Sequence, residues 1–175
     1  MTADVIIRTA RPADRDAVVA LVREAFSSDD HDGREEVDIV VSTWERKATP
    51  AGFELVAVDD GAVVGHVLAA SGVLDGRDVV AVAPLAVTPA RQGEGVGSAL
   101  MTELLARAEE AQLPLIVLLG RPDYYRRFGF EPSGPLGISY RIADDPHFMV
   151  RRLARYDPSY RGTFTYCWEA GGVRF

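Results

Sequence analysis

The residues with the clearest chemical potential are three glycines, Gly93, Gly95 and Gly97, which lie within five positions of the chain. An apolar run at residues 79–87 precedes them and a helix-spaced amphipathic pattern follows them, which predicts a strand, a glycine loop and a helix. The first turn of a helix leaves four backbone N–H groups without intrahelical partners, and the helix dipole adds partial positive charge there. Because glycines carry no side chain that would hold an anion away, this junction predicts a cradle for a phosphate or pyrophosphate.

The spacing of the glycines separates the possible phosphate ligands. A nucleotide P-loop needs Gly-x-x-x-x-Gly-Lys-Ser/Thr, and no lysine lies between Gly93 and the end of the predicted helix. A dinucleotide site needs Gly-x-Gly-x-x-Gly and an acidic residue about 20 positions later, and neither stands at the expected place. The alternative for the glycines alone is an ordinary loop that begins a helix.

Two segments of the chain, the glycine loop and a stretch about thirty residues later, are similar to motifs that occur together in one family. Residues 92–97, Gln-Gly-Glu-Gly-Val-Gly, are similar to the Gln/Arg-x-x-Gly-x-Gly/Ala motif of the GNAT superfamily of acyl-CoA N-acyltransferases, and they follow Pro-Leu-Ala-Val at residues 84–87. Residues 124–130, Tyr-Tyr-Arg-Arg-Phe-Gly-Phe, are similar to the Tyr-x-x-x-Gly-Phe ending of the same domain. Because both motifs occur in the order and spacing of the family, the chain resembles it over roughly residues 6–153. Most members of the subgroup with these motifs are uncharacterised.

The resemblance implies a site for acetyl-CoA. The pyrophosphate would lie on the amides of the glycine loop, and the pantetheine arm would pair with the preceding strand as an added strand does. The residues that the resemblance assigns to this site are Leu85, Ala86, Val87, Arg91, Gln92, Gly93, Glu94, Gly95, Val96, Gly97 and Ser98. Two interpretations of Arg91 stay open, a phosphate contact and a solvent-exposed arginine.

Tyr125 is the catalytic residue that the resemblance implies, with the role of general acid. A phenol of pKa near ~10 can donate a proton to a departing thiolate, whose conjugate thiol has a pKa of about 8.5. A backbone amide near Ala86 or Val87 would stabilise the oxyanion. The alternative for Tyr125 is an aromatic side chain that only packs.

The general base is not identified by the sequence. GNAT-like enzymes often carry a glutamate on the central strand, and residues 79–87 contain no acidic residue. Glu54, His66, Glu36 or a chain of water molecules remain as candidates. For His66, a core histidine satisfied by the backbone is the competing interpretation.

The helices and strands that would position these residues indicate an α/β (α+β) fold. The resemblance implies a single GNAT-like domain whose central sheet is mixed and mostly antiparallel. We expect six to seven strands, splayed at the central strand and flanked by about four helices. We assign residues 1–155 to this domain and residues 156–175 to an aromatic C-terminal extension packed on it.

Turn residues and apolar runs place the strands around the glycine loop. Residues 53–58 and 62–70 flank Asp-Asp-Gly, which predicts a β-hairpin, and the apolar residues 115–119 predict a buried parallel strand. Proline cannot donate to a sheet, so Pro84 predicts either a bulge that splays the central strand or a simple strand entry.

The first two helices and their connection border the acceptor site in GNAT-like proteins. By that resemblance, the acidic and histidine side chains of this region would face the acceptor: His31, Glu35, Glu36 and Asp38. The competing interpretation is a solvated, charged loop and helix face.

Composition limits the other possibilities. The chain has 175 residues and a net charge of −7, which does not favour a nucleic-acid partner. No apolar run approaches the ~20 residues of a membrane helix, and the N-terminal residues lack the pattern of a signal peptide. A lone cysteine, Cys167, and the absence of metal-ligand spacing favour a reducing, cytoplasmic location and no metal.

These observations predict an N-acetyltransferase that moves an acetyl group from acetyl-CoA to a primary amine of a small molecule or peptide by direct attack. The alternative is a GNAT-like module that binds or senses acyl-CoA without catalysis. We expect neither nucleic acid nor membrane as a partner, and a homodimer is compatible with the sequence.

Overall fold

The computed structural model describes residues 5–169. The strands are β1 (Ile6–Thr9), β2 (Ser27–Ser28), β3 (His31–Asp32), β4 (Glu54–Asp59), β5 (Ala62–Leu74), β6 (Arg77–Val87), β7 (Leu115–Leu119), β8 (Glu131–Pro132), β9 (Ile138–Ser139), β10 (Phe148–Arg152) and β11 (Gly162–Tyr166). The α-helices are α1 (Arg15–Phe26), α2 (Arg34–Glu45), α3 (Val96–Glu110) and α4 (Pro122–Tyr125).

The described residues form one large mixed sheet and one small hairpin. The order β1-β4-β5-β6-β7-β10-β8 is extended by β11, which pairs with β5, and by β9, which pairs with β11, giving nine strands. Only β6–β7 and β9–β11 are parallel. The predicted fold class is confirmed, but the expected six to seven strands were too few. The two-residue strand β8 is too short to show any periodicity in the sequence.

The β4–β5 hairpin is built as the sequence predicts. Its tip carries Asp60 at φ 45° and Gly61 at φ 80°, and two successive residues with positive φ suit a tight hairpin turn. The strands pair from Asp59–Ala62 down to Glu54–Leu68. This hairpin supplies the strand against which the central strand β6 lies.

A bulge opens the sheet at Pro84, as one of the two interpretations predicted. Val67 of β5 pairs with Leu85 while Ala69 pairs with Val82, so β6 holds one extra residue there. The parallel pairing with β7 ends at Val82, opposite Leu118. Beyond that point β6 departs from β7, and the sheet is splayed.

Both faces of the sheet are covered, and strand alternation decides which side chains meet which helix. Leu100, Met101 and Leu104 of α3 are completely buried on one face. On the other face α1 and α2 pack on side chains that include Val56 and Leu68. These two layers hold the ends of β6 and β7 in place.

The C-terminal segment contributes to the sheet through β11, whose Phe164 pairs with Leu74. Residues 1–4 and 170–175, to which the predicted domain and extension also extend, lie outside the described residues. The division at residue 155 therefore stays a prediction. None of the helices within residues 5–169 combines the length and apolar character needed to cross a membrane.

Candidate active site

The gap between β6 and β7 opens into a cleft of about 1110 Å³. Ten of the twelve predicted site residues line this cleft: Leu85, Val87, Arg91, Gln92, Gly93, Gly95, Val96, Gly97, Ser98 and Tyr125. The fold thus brings the glycine loop, the splayed strand and the predicted acid to one place.

The side chains of Ala86 and Glu94 do not line the cleft. Ala86 is 3% exposed and packs with α1 and α2, because side chains alternate along a strand and those of Leu85 and Val87 lie on the other face. Glu94 accepts a hydrogen bond from Arg91 Nε at 2.6 Å. Only the backbone of Ala86 is therefore available to a ligand in the cleft.

The amides of the glycine loop are free of backbone partners. Gly93 and Gly95 have φ of 79° and 89°, and no atom lies within 4 Å of the place where either would carry a Cβ. Among the described residues, no backbone carbonyl accepts a hydrogen bond from the N–H groups of residues 93–98, and helical bonding starts with Ala99 donating to Gly95. This cluster of donors at the start of α3 fits an anionic group such as a pyrophosphate.

Arg91 and Gln92 fix the loop to the surrounding strands. Gln92 Nε2 donates to the carbonyl of Val87 at 3.0 Å. Arg91 bonds the carboxylates of Glu94 and Asp59, with its side chain 19% exposed, and these two hydrogen bonds raise its pKa. Arg91 is therefore not the solvent-exposed arginine of one interpretation, because it ties the loop to the end of β4 and offsets the charge of Glu94.

Tyr125 lies at the end of α4, where its ring lines the cleft. It contacts Tyr124 and Phe130 edge-on, with ring centroids 4.9 and 5.9 Å away. Burial is the main reason that its pKa rises to about 12. Its phenol therefore keeps its proton at neutral pH, as a general acid must.

His66 and Glu54 lie outside the cleft. His66 is 0% exposed, and its Nε2 lies 3.0 Å from Glu54 Oε1, the atom that also accepts from Trp44 Nε1 at 2.9 Å. His66 is thus a core histidine whose Nε2 bonds a carboxylate, whereas its buried Nδ1 has no hydrogen-bond partner among the described residues. The backbone does not satisfy it, contrary to one interpretation. Neither residue is placed to take a proton from a ligand in the cleft.

The acidic side chains at the start of α2 lie where the resemblance implied. Glu35, Glu36 and Asp38 line the cleft, and His31 does not. His31 Nε2 lies 2.8 Å from Glu36 Oε2, and that contact raises the pKa of His31. Glu36 is therefore the one base candidate from the sequence that reaches the cleft.

Two groups of side chains in the cleft were not among the predicted site residues. Tyr140, Arg141, Tyr166 and Trp168 form a wall from the C-terminal part of the chain, in which Trp168 stacks on Tyr166 with a 4.3 Å centroid distance. The sequence left two locations open for the aromatic residues after Tyr156, the acceptor cleft and a subunit contact, because their position depends on the pairing of β11 with β5 and β9.

The second of these groups lies beside the glycine loop. Tyr124 lines the cleft together with Arg121 and Arg127, and the Arg127 guanidinium lies 4.5 Å from the centre of the Tyr124 ring. These cations suit the phosphate end of a ligand. Within residues 5–169, no three His, Cys, Asp or Glu side chains are arranged to hold a metal ion.

The family models and the curated relatives that match this chain agree on one family. Residues 6–133 match the family model of the acetyltransferase (GNAT) domain. Over 153 residues the chain is 35% identical to the uncharacterized N-acetyltransferase YhbS of Escherichia coli strain K12, an alignment that covers 85% of this chain and 87% of YhbS.

Two solved structures are similar to this chain in three dimensions. The crystal structure of YhbS from Escherichia coli in complex with CoA has a TM-score of 0.84 at 31% identity, covering 97% of this chain and 93% of that one. A GNAT family acetyltransferase from Brucella melitensis in complex with acetyl-CoA has a TM-score of 0.77 at 31% identity, covering 94% and 96% of the two chains.

Proposed function

This chain belongs to the GNAT acetyltransferase family, and we propose that it moves an acetyl group from acetyl-CoA to a primary amine of a small molecule or a peptide. The observation that carries the proposal is the row of amides at residues 93–98, which lack backbone partners among the described residues and lie beside a splayed strand. Similar proteins were solved with CoA and with acetyl-CoA.

The glycine loop and the strand β6 bind different parts of acetyl-CoA. The amides of residues 93–98 bind the pyrophosphate, and Arg121 and Arg127 add positive charge at that end of the cleft. The backbone of residues 85–87 pairs with the pantetheine arm where β7 has departed. The thioester then lies between the end of β6 and Tyr125.

Transfer proceeds by direct attack of the amine nitrogen on the thioester carbon. A backbone amide near Ala86 or Val87 stabilises the oxyanion, and the C–S bond breaks as the tetrahedral intermediate collapses. Tyr125 donates its proton to the leaving thiolate. No covalent enzyme intermediate is needed, so no nucleophilic side chain takes part.

Glu36 is our candidate for the base, acting directly or through water. An attacking amine must be neutral, and a carboxylate in the cleft can accept the proton that it loses. The carboxylates of Glu35 and Asp38, which form no ion pair within residues 5–169, attract amines in their cationic form before that step.

A second candidate function is an acyl-CoA-binding module without catalysis. It is favoured by the lack of an acidic residue in residues 79–87 and by the location of the Glu54–His66 pair outside the cleft. It shares the loop and the strand with the first proposal and differs only in whether CoA is released in the presence of amines.

The deciding experiment measures thermal unfolding of the protein with acetyl-CoA, CoA or ATP. A ligand at about 100 times its Kd stabilises the folded state by roughly 2.7 kcal/mol, so we expect a clear rise in Tm with acetyl-CoA and CoA and none with ATP. Release of free thiol with a panel of amines then separates the transferase from the binding module. Absence of any shift with acetyl-CoA and CoA would overturn both.

A further inference from the structure

One carboxylate near the C-terminal end of the described chain holds three groups of the cleft wall. Glu169 Oε1 accepts hydrogen bonds from the Tyr140 hydroxyl at 2.7 Å and from Arg141 Nη2. Its Oε2 accepts from the backbone N–H of Tyr166 at 3.3 Å. Glu169 itself does not line the cleft, whereas all three of its partners do.

The backbone at Arg141 supports a role for this arrangement. Arg141 has a φ of 54°, a left-handed conformation that non-glycine residues rarely adopt. Its guanidinium lies 5.0 Å from the centre of the Tyr140 ring and bonds Glu169. The side chain of Arg141 is 69% exposed, and these contacts orient it beside the cleft despite an unfavourable backbone conformation.

The ion pair between Arg141 and Glu169 also affects the charge of the cleft lining. Arg141 is the one cation in the C-terminal wall, and Glu169 neutralises it. In the lining of the same cleft, Glu35 and Asp38 form no ion pair with any residue from 5 to 169, while Glu36 pairs with His31. The lining of the cleft is therefore more negative while Glu169 cancels the charge of Arg141 than it would be without Glu169.

We propose that Glu169 is a positioning residue for the amine acceptor. It fixes Tyr140 and Arg141 in the wall of the cleft, and it keeps the positive charge of Arg141 from repelling a cationic amine. The acceptor class that the cleft selects is an amine that carries a further ammonium group. That second group stays charged after the reacting nitrogen has lost its proton, and it binds the carboxylates that the base does not use. This inference rests on the proposed function.

The alternative role of Glu169 is purely structural, since its bond to the Tyr166 amide supports the turn after β11. The two roles respond differently to charge. A structural role is lost in any variant that removes the carboxylate. A charge-cancelling role is restored when the partner charge of Arg141 is removed as well.

The test uses the full-length protein saturated with CoA and titrated with 1,4-diaminobutane in a calorimeter, with n-butylamine as the one-charge probe. The variants are Glu169→Gln, Arg141→Gln and the double variant. Glu131→Gln is the matched control, because it breaks the exposed ion pair with Arg152, and neither residue lines the cleft. Titration of CoA alone into each variant reports on folding and on the cosubstrate site.

Because Arg141 is largely exposed, we expect Glu169→Gln to weaken binding of 1,4-diaminobutane by about three- to fivefold and that of n-butylamine less. The double variant should return to within about twofold of wild type, as should Glu131→Gln. CoA binding should be equal in all of them. Unchanged diamine affinity in Glu169→Gln, no recovery in the double variant, or no binding of the diamine to the wild-type complex would each overturn the inference. Failure of the wild-type protein to bind CoA would overturn the proposed function instead.

Discussion

The hydroxyl of Tyr124 lies 2.7 Å from the position that a Cβ on Gly97 would occupy. The two residues come from the two motifs that identified the family, so the glycine loop and α4 are fitted to each other. Gly97 is required for this close approach, whereas Gly93 and Gly95 are required for their positive φ. One row of glycines thus serves two physical purposes.

The first prediction separates backbone strain from ligand binding at Gly95. Gly95→Ala forces a non-glycine residue to φ 89°, which costs about 1 kcal/mol of stability, and it places a methyl group where the pyrophosphate would lie. We expect the rise in Tm with acetyl-CoA to be lost. Thermal unfolding with and without acetyl-CoA measures both effects.

Gly61→Ala is the matched control for that substitution. Gly61 lies in the β4–β5 turn at φ 80°, and like Gly95 it has nothing within 4 Å of the Cβ position. It should lose a similar stability and keep the full response to acetyl-CoA. An equal loss of response in both variants would contradict the assignment of the loop.

The second prediction concerns the role of Tyr125 as general acid. Tyr125→Phe removes the proton donor and keeps the packing on Phe130, so kcat should fall by about 10²-fold while the KM for acetyl-CoA changes little. Tyr156→Phe, outside the cleft, is the control and should retain wild-type kcat. Steady-state thiol release measures both; an unaltered kcat in Tyr125→Phe would remove Tyr125 from the mechanism.

The third prediction is the pH dependence of that acid. Burial raises the pKa of Tyr125 to about 12, so the phenol loses its proton only well above the ordinary value of 10.0. Between pH 8 and about 10, Tyr125 should therefore stay protonated, and kcat should not fall through loss of this proton donor. A fall of kcat centred near pH 10 in wild type, absent from Tyr125→Phe, would contradict the raised pKa.

The fourth prediction tests the assignment of His66 to the core. His66→Gln removes a ring that is 0% exposed and bonds Glu54, so the free energy of unfolding should fall by about 2 kcal/mol. The value of kcat/KM, measured well below the Tm, should stay at the wild-type level. Chemical denaturation and steady-state kinetics give the two numbers. A large loss of kcat/KM without loss of stability would instead make His66 a proton relay.

The fifth prediction is an acid-sensitive contribution to stability near the N-terminus. The side-chain hydrogen bond from Arg8 is the largest of the causes that lower the pKa of Asp14 from 3.8 to about 2. A lowered carboxyl pKa stabilises the fold above the unfolded-state value, and this contribution is lost as pH falls through the folded-state value.

Asp14→Asn should accordingly lower the free energy of unfolding by about 1 kcal/mol at pH 7, given the partial exposure of Arg8. The difference from wild type should shrink as pH falls from about 4 to about 2. Urea unfolding at several pH values measures it. A difference that is independent of pH would mean that Asp14 acts by packing alone.

Local patterns explain why the loop and the central strand were predictable. The glycine loop, the Pro84 bulge and the Tyr125 motif each lie within a few consecutive residues, where turn chemistry and periodicity act directly. The side-chain alternation that buries Ala86 follows from the same strand.

Long-range pairing explains what was missed. Tyr140 and Arg141 reach the cleft because β9 and β11 pair in parallel across 24 positions of sequence, from Ser139 to Thr163. Nothing local to residues 138–141 signals that partner. The contact of Glu169 with this region is a product of tertiary structure alone.

The short seam between β6 and β7 divides the sheet into two panels. One panel holds β1, β4, β5, β6, β9 and β11, and the other holds β7, β8 and β10. Within residues 5–169, only three residue pairs, Val80–Ile116 to Val82–Leu118, join the two panels. Amide hydrogens of residues 85–87 on the open side have no strand partner in β7, and they should exchange quickly with deuterium. An acyl-CoA arm in the gap would act as the missing strand between the panels and would slow that exchange, joining cosubstrate binding to the stiffness of the whole sheet.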